Sequence, residues 1–208
     1  MDKFGTEQEQ FWADNFGDEY TSRHQNETLI ANNIALFTKI LAHTSQVRSV
    51  IEFGANIGLN LSALRQIIPN IELSAIEINQ KAVAELKKME SVKIYHMSIL
   101  DFSPEYPYDF VLTKGVLIHI NPDSLAKVYD LLYQTTRQYL CLAEYYNPKP
   151  VEVTYRGHSN KLFKRDFAGE LLDKFPDLKL VDYGFAYHRD NYFPQDDITW
   201  FLLEKTVK

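Results

Sequence analysis

The stretch VIEFGANIGLN, which runs from Val50 to Asn60, decides the fold of this chain. An apolar run typical of a buried strand leads into a turn with Gly54 and Gly58, and the helical pattern GLNLSALRQII follows. Glycine at such a turn lets the backbone approach a ligand without a Cβ in the way. Gly58 is also expected to allow close packing where the helix begins, and the free N–H groups there attract a carboxylate or phosphate. The stretch therefore predicts a strand, a ligand-binding turn and a helix in succession.

The rest of the chain repeats this alternation. Further strand patterns are IELSAIEI, VKIYHMSI, YDFVLTKG and QYLCLAEYY, and helical patterns separate the strands or flank them. Such alternation is typical of a parallel sheet with helices on both faces, which binds ligands at the carboxyl ends of its strands. The late runs LKLVDYGFAYH and DITWFLLEK predict an antiparallel pair at one edge. We therefore expect an α/β, Rossmann-like, doubly wound fold in a single domain over residues 1–208.

Two acidic residues at successive strand ends indicate the kind of ligand. Glu52 stands where a dinucleotide-binding G-x-G-x-x-G motif has its first glycine, and its charge disfavours a pyrophosphate and favours an ammonium group. Glu77 ends the next strand at roughly the 20-residue spacing expected of a carboxylate that binds a ribose. S-adenosylmethionine carries an ammonium, a carboxylate and a ribose, so we predict it as the cofactor. The alternative makes Glu52 a helix-terminus acid and Glu77 a solvated loop acid.

The ends of the third and fourth strands supply further predicted cofactor contacts. Ser98 is expected to bond the exocyclic amine of adenine, and the backbone of Ile99 to meet the ring. Asp101 is a second candidate there, with a turn or cap role as the alternative. Lys114 and Gly115 fall where the chain passes the sulfonium. The predicted cofactor-binding set is completed by residues next to the two acidic strand ends, Ala55, Asn56 and Ile78.

Composition limits the other possibilities. The 208 residues are 45% hydrophobic, which allows a sizeable core, and the net charge of −6 argues against a large nucleic-acid surface. The lone cysteine, Cys141, excludes an intrachain disulfide and a cysteine-rich zinc site, and its apolar surroundings predict a buried thiol. No apolar run is long enough to span a membrane, and the polar start is unlike a signal peptide. We expect a cytoplasmic protein without nucleic-acid or membrane partners.

These motifs carry a resemblance to a known family. With E-x-G-x-x-x-G, the acid of the second strand and YDFVLTKGVLIHI, the chain resembles class I S-adenosylmethionine-dependent methyltransferases from about Thr28 to Lys208. The resemblance implies a sheet of about seven strands whose last strand runs antiparallel. Three other segments, FWADNFGDEYTSRH, AEYYNPKPVEVTYRGHSNKLFKRDFAGEL and DYGFAYHRDNYFPQDDITWFLLEK, look like the methylases associated with pseudaminic acid biosynthesis. That narrower resemblance implies methyl transfer to a nonulosonic sugar, a nucleotide sugar or a precursor.

A hydroxyl or amine that receives a methyl group needs a base to remove its proton. His119, after the fourth strand, is our first choice by position, and a core histidine is the alternative. Glu144, at the end of the fifth strand, is a second candidate, with a structural carboxylate as the alternative. Tyr145 is predicted to orient the acceptor, and a loop position favours a catalytic role for His158.

Substrate contacts are predicted near the same strand end. Tyr146 is expected to stack on a sugar. A basic cluster of Arg156, Lys161 and Arg165 is expected to hold the carboxylate or phosphate of an anionic sugar derivative, and the alternative is a solvated basic run. No two histidines stand at close spacing, so no metal site is predicted.

The segment before the core is expected to cover the cofactor. We predict residues 1–27 as an N-terminal helical lid, with Tyr20 and Arg23 as cofactor contacts and Arg23 directed at the methionine carboxylate. The alternative is plain packing, because Phe11, Trp12 and Phe16 recur at helical spacing. Two other functions stay open at this point: an NAD-dependent oxidoreductase, which Glu52 disfavours, and a non-catalytic partner in a surface-glycan pathway that keeps the cofactor fold.

Overall fold

The structure is a computed structural model that describes residues 4–23 and 27–206. The α-helices in this part of the chain are α1 (Glu7–Ala13), α2 (Asn15–Arg23), α3 (Glu27–Leu41), α4 (Leu59–Ile67), α5 (Gln80–Leu86), α6 (Leu125–Thr135) and α7 (Phe167–Lys174). The strands are β1 (Ser49–Phe53), β2 (Glu72–Glu77), β3 (Val92–His96), β4 (Tyr108–Lys114), β5 (Thr136–Glu144), β6 (Val151–Glu152), β7 (Phe163–Lys164), β8 (Leu178–Ala186) and β9 (Ile198–Lys205). Short 3-10 turns cover Ile99–Asp101, Leu117–His119 and Pro122–Ser124. Within the described ranges, every helix is too short or too polar to pass through a membrane.

Seven strands form one mixed sheet in the order β3-β2-β1-β4-β5-β9-β8. The first five pair in parallel, and β9 runs antiparallel to both of its neighbours, β5 and β8. The predicted Rossmann-like sheet with an antiparallel pair at its edge is therefore confirmed, and β8 forms the edge itself. The strand order reverses between β1 and β4, and this is where such sheets bind ligands. The sequence did not predict the separate pair of β6 and β7.

Helices cover both faces of the sheet. Alternate residues of β4 point to opposite sides, so that Phe110 and Leu112 join the core under α3 and α4 while Val111 joins the core under α6 and α7. Cys141 is fully buried in the first of these cores, as predicted for an inert thiol. The two cores hold the carboxyl ends of β1, β2 and β4 in one rigid row.

Two strands end earlier than their sequence patterns predict. The β3 strand ends at His96 because Oγ of Ser98 accepts a hydrogen bond from the backbone N–H of Leu100 (3.0 Å) and starts a 3-10 turn. The β5 strand ends at Glu144, two residues before the end of its apolar pattern. The helix predicted from Asn121 begins later: Oδ1 of Asn121 accepts from the N–H of Asp123 (3.0 Å) and caps a 3-10 turn, and α6 starts after that turn, at Leu125.

Candidate active site

A cavity of about 470 Å³ lies at the carboxyl ends of β1, β2 and β4. The sequence predicted a ligand site at this edge, and many of the predicted residues line the cavity. They are Tyr20, Gly54, Ala55, Asn56, Glu77, Ile78, Ser98, Ile99, Lys114, Gly115 and His119. The sheet thus brings together the side chains that the sequence separates by about 100 positions.

Glu52 lies outside the described lining of this cavity, in contact with its lining residue Asn60, and has an incomplete set of hydrogen bonds. It is 1% exposed, and Oε1 accepts a bond from Nδ2 of Asn60, which stands in the first helical turn of α4. Oε2 of Glu52 and Oδ1 of Asn60 are both buried acceptors without a partner in the structure. Burial raises the pKa of Glu52 to about 8, against the lowering effects of Asn60 and Lys114. Two unsatisfied acceptors at one place favour a ligand that brings hydrogen-bond donors and positive charge.

Both glycines of the opening motif adopt left-handed backbone conformations. Gly54 has φ of 72°, and a Cβ there would come within 2.7 Å of Val116. Gly58 has φ of 80° and caps α4, where a Cβ would meet Met89 and Leu86 at 2.5 and 2.7 Å. Gly54 lines the cavity, whereas the structure confirms the expected close packing at Gly58 and places it outside the described lining.

Glu77 closes the turn between β1 and α4. It is 7% exposed, Oε2 accepts from the backbone N–H of Asn56 and Oε1 from that of Asn79, each at 2.7 Å. Burial raises the pKa of Glu77 and these N–H groups oppose the rise. Because each carboxylate oxygen can accept a second hydrogen bond, Glu77 can still receive two ligand hydroxyls from the cavity.

The region after β3 offers a different surface. Ser98 is buried, and its hydroxyl oxygen already accepts the N–H of Leu100. Ile99 lines the cavity beside two apolar residues that the sequence interpretation left out, Met97 and Leu100. Asp101 is exposed, outside the described lining and within the 3-10 turn, which agrees with its alternative role as a turn residue.

His119 is held in a defined tautomer at the edge of the cavity. Its Nδ1 lies 2.6 Å from the backbone carbonyl oxygen of Lys161, so Nδ1 carries the hydrogen and Nε2 keeps the lone pair. Burial lowers the pKa of His119 to about 4, which the bond to this carbonyl opposes. The imidazole is therefore neutral at physiological pH, with the lone pair of Nε2 free of a hydrogen. Its ring packs against Trp12 and Tyr155, with centroid distances of 4.6 and 4.9 Å.

Glu144 occupies the end of β5, but it supports the backbone and does not line the described cavity. Its carboxylate accepts from the hydroxyl of Thr113 (3.0 Å) and from the backbone N–H groups of Val116 and Leu117 (3.1 Å each). Burial raises the pKa of Glu144 to about 7, and these donors oppose the rise. This engagement fits the structural alternative for Glu144, because it fixes the turn that carries His119.

We expect Glu144→Gln to destabilise the protein by roughly 1–3 kcal/mol, because an amide nitrogen would face backbone N–H donors in a buried place. Urea unfolding at pH 8, where the carboxylate is largely ionised, measures the effect. The matched control is Glu204→Gln on the neighbouring strand β9, which should change the unfolding free energy by less than about 0.5 kcal/mol. Equal effects of the two substitutions would contradict this role.

The other predicted catalytic and substrate residues lie away from the cavity lining. Tyr145 packs beside both cores, and burial raises its pKa to about 12. Tyr146 is 43% exposed, 6.0 Å from the ring of Phe201. His158 is exposed and packs on Phe11, with 5.0 Å between their ring centroids.

The predicted basic cluster is divided among separate partners. Lys161 pairs with Glu7 (2.9 Å), Arg165 pairs with Glu170 (2.6 Å), and Arg156 is exposed beside the ring of Tyr155. None of these three cations belongs to the described lining of the cavity. Two of the three charges are therefore neutralised by acids, Glu7 far away in the chain and Glu170 five residues on, and Arg156 stays exposed.

The N-terminal helices form one wall of the cavity. Tyr20 in α2 lines it, and the backbone oxygen of Trp12 accepts a bond from Nδ2 of Asn79 (3.2 Å), which ties α1 to the end of β2. Arg23 ends α2, and its side chain lies outside what the structure describes. The same limit applies to residues 1–3 and 24–26 of the predicted lid.

The sequence interpretation missed several residues of the lining. Asn60 ends the opening stretch, eight residues after Glu52. Its place in the first helical turn after the glycine motif was a sign that it could lie near Glu52. Gln8 and Trp12 share a helix face through their i, i+4 spacing, which was a signal as well. The loop before β9 had none, because it reaches the cavity by long-range bonds from α3: Nδ2 of Asn32 donates to the carbonyl oxygen of Pro194 (2.8 Å).

Solved structures with the same fold are enzymes bound to S-adenosyl ligands. The 1,6-didemethyltoxoflavin-N1-methyltransferase of Burkholderia thailandensis, solved with 1,6-didemethyltoxoflavin and S-adenosylhomocysteine, has a TM-score of 0.70 and 13% identity over 96% of this chain and 87% of that chain. The magnesium protoporphyrin IX methyltransferase of Synechocystis PCC 6803, with bound S-adenosylmethionine, has a TM-score of 0.67 and 12% identity over 99% and 100% of the two chains.

A third example is the plantazolicin methyltransferase in complex with a pentazolic desmethylPZN analogue and S-adenosylhomocysteine. It has a TM-score of 0.63 and 12% identity over 92% of this chain and 90% of that chain. No protein-family model and no curated protein matches the chain. At these low identities the likeness establishes the fold, which is that of class I S-adenosylmethionine-dependent methyltransferases.

Proposed function

We propose that the protein is an S-adenosylmethionine-dependent methyltransferase that acts on a small molecule. The observation that carries this proposal is the pair of unsatisfied acceptors, Oε2 of Glu52 and Oδ1 of Asn60, at the end of β1. An ammonium group with three hydrogens and a positive charge would satisfy both. A dinucleotide offers a pyrophosphate at this point of the fold instead, and Glu52 would repel it.

The residues that line the cavity support the remaining proposed contacts. Glu77 would receive the two ribose hydroxyls, and the surface of Ser98 and Ile99 would hold the adenine. Lys114 and Gly115 would border the methyl-bearing centre. When bound, S-adenosylmethionine supplies a methyl group on a positively charged sulfur, which is open to in-line displacement.

The chain itself would supply the base and the shelter from water. A hydroxyl or amine acceptor loses a proton as its new bond to carbon forms. Nε2 of His119 holds a lone pair at the edge of the cavity and would take that proton. We propose that α1 and α2 act as the lid, because both contribute to the cavity wall and would exclude water from the acceptor.

We propose a nonulosonic sugar, a nucleotide sugar or a precursor as the substrate. The support is the resemblance of three sequence segments to methylases associated with pseudaminic acid biosynthesis. A small molecule agrees with the compounds in the names of the first two solved structures, 1,6-didemethyltoxoflavin and magnesium protoporphyrin IX. Lys114 is the only lysine or arginine among the described lining residues, and it is the cation available to an acidic group of such a sugar.

Calorimetric titration with S-adenosylhomocysteine and with NADH tests the function. We expect S-adenosylhomocysteine to bind in the micromolar range, roughly −8 kcal/mol, and NADH to give no heat. Mass spectrometry with labelled S-adenosylmethionine and a panel of sugar intermediates then identifies the acceptor. Tight NADH binding without S-adenosylhomocysteine binding would overturn the proposal. Cofactor binding without methyl transfer to any pathway intermediate would favour the non-catalytic alternative.

Glu77→Gln should weaken the binding of S-adenosylhomocysteine by about tenfold or more, because the buried ribose contact loses one charged acceptor. Asp101→Asn should change the affinity by less than about twofold, because Asp101 is an exposed turn residue. The same calorimetry measures both, and thermal unfolding verifies that each variant folds. If the Asp101 variant loses more affinity than the Glu77 variant, the ribose binds near Asp101 and not at Glu77.

A further inference from the structure

The wall of the cavity that α1 forms contains a second pair of polar atoms without partners among the described residues. These atoms are Oε1 of Gln8 and Nε1 of Trp12, and both are buried. Both residues line the cavity, and their i, i+4 spacing places them on one face of α1. The first pair, at Glu52, consists of two acceptors, whereas this pair consists of one acceptor and one donor.

The orientation of the Gln8 amide is fixed by its surroundings. Gln8 is 3% exposed, and its Nε2 donates to the backbone carbonyl oxygen of Asn160 (3.0 Å) and lies 3.4 Å from Oε1 of Glu7. Both of these partners are acceptors, so the nitrogen of the amide must face them. The carbonyl oxygen of Gln8 is therefore the atom left for another group.

The indole of Trp12 is equally well fixed. Its ring packs on Phe16, Tyr20 and His119, with centroid distances of 5.4, 5.2 and 4.6 Å. These contacts hold the indole ring of Trp12 against the imidazole that we propose as the base. A buried N–H or carbonyl without a partner is destabilising, so a ligand group that satisfies both atoms gains affinity.

We propose that Gln8 and Trp12 form an acceptor subsite for a neutral group that donates and accepts hydrogen bonds at once, a hydroxyl or a secondary amide of the methyl acceptor. The hydrogen of that group is directed to Oε1 of Gln8, and its oxygen receives the indole N–H of Trp12. A carboxylate suits Trp12 but meets a carbonyl oxygen at Gln8, so the pair selects against it. This inference rests on the proposed methyltransferase function and defines which part of the substrate α1 recognises.

The indole N–H signals of the two tryptophans provide a direct test. The protein, labelled with ¹⁵N-tryptophan and saturated with S-adenosylhomocysteine, is titrated with methyl glucoside, methyl N-acetylglucosaminide and glucuronate. The first two probes distinguish the hydroxyl from the amide, and the third presents a carboxylate on the same ring. We expect at least one neutral probe to shift the Trp12 signal while Trp200, buried in the sheet, stays in place. Trp12→Phe assigns the two signals.

Gln8→Leu should weaken the response of the Trp12 signal to the neutral probe about tenfold in apparent affinity. Gln10→Leu, on the same helix and outside the described lining, is the matched control and should leave it unchanged. A Trp12 signal that neither neutral probe moves at its solubility limit, or equal effects of the two substitutions, overturns the inference. Calorimetry of each variant with S-adenosylhomocysteine separates this result from a failure of the proposed function, since Gln8 and Trp12 lie outside the proposed cofactor contacts.

Discussion

The substitution Glu52→Gln is expected to weaken the binding of S-adenosylhomocysteine by about two orders of magnitude. The proposed ammonium contact is buried and charge-assisted, and the loss of one partner of such a pair costs roughly 2–5 kcal/mol. Glutamine keeps the shape of the side chain, so the effect reports the lost charge and one lost acceptor. Calorimetry at pH 8 measures it. Glu72→Gln, an exposed carboxylate on β2, is the matched control and should bind as the wild type does.

The pH dependence of the affinity for S-adenosylhomocysteine provides a second test of the proposed contact between Glu52 and the ammonium group. Burial raises the pKa of Glu52 to about 8 in the ligand-free protein, so the carboxyl group of Glu52 is mostly protonated at pH 6. Only its ionised form attracts an ammonium group by charge. The affinity of the wild type should therefore rise about tenfold for each pH unit between 6 and 8 and level off above. Glu52→Gln should flatten this slope. If the affinity of the variant still depends steeply on pH, a group other than Glu52 causes the pH dependence.

The second large effect is expected for His119→Asn, which should lower turnover by about 10²- to 10⁴-fold. Asparagine can still donate to the carbonyl oxygen of Lys161, but it has no basic nitrogen to take a proton. The affinity for S-adenosylhomocysteine should stay within about twofold of the wild type, because no proposed cofactor contact uses His119. Transfer of labelled methyl to the acceptor, followed by mass spectrometry, measures turnover at saturating cofactor.

His158→Asn is the control for this experiment, because His158 lies outside the described lining of the cavity. Since burial lowers the pKa of His119 to about 4, the base stays neutral well below pH 7, and turnover at saturating cofactor should not fall as the pH drops from 7 to 6. Wild-type turnover in the His119 variant would remove this residue from the mechanism. If only the His158 variant loses most of its turnover, His158 and not His119 is the base.

Sequence patterns predicted the sheet and its ligand edge because both depend on local order. Glu52 and Glu77 each lie at the carboxyl end of a strand of alternating or apolar residues, and parallel strands bring these ends into one row. The pairing of Lys161 with Glu7 could not be predicted in this way, because the two residues are far apart in the chain. The hydrogen bonds of Glu144 could not be predicted for another reason. Its partners include backbone N–H groups, and because nearly every residue has one, the sequence does not show which of them Glu144 will bind.

The two residues Asn160 and Lys161 connect helix α1, which forms part of the cavity wall, to the imidazole of His119. The carbonyl oxygen of Asn160 holds Gln8, the side chain of Lys161 holds Glu7, and the carbonyl oxygen of Lys161 fixes the tautomer of His119. If α1 swings outward, the two bonds from α1 break and the support behind the imidazole loosens with them. The position of the proposed lid and the orientation of the proposed base are therefore expected to change together.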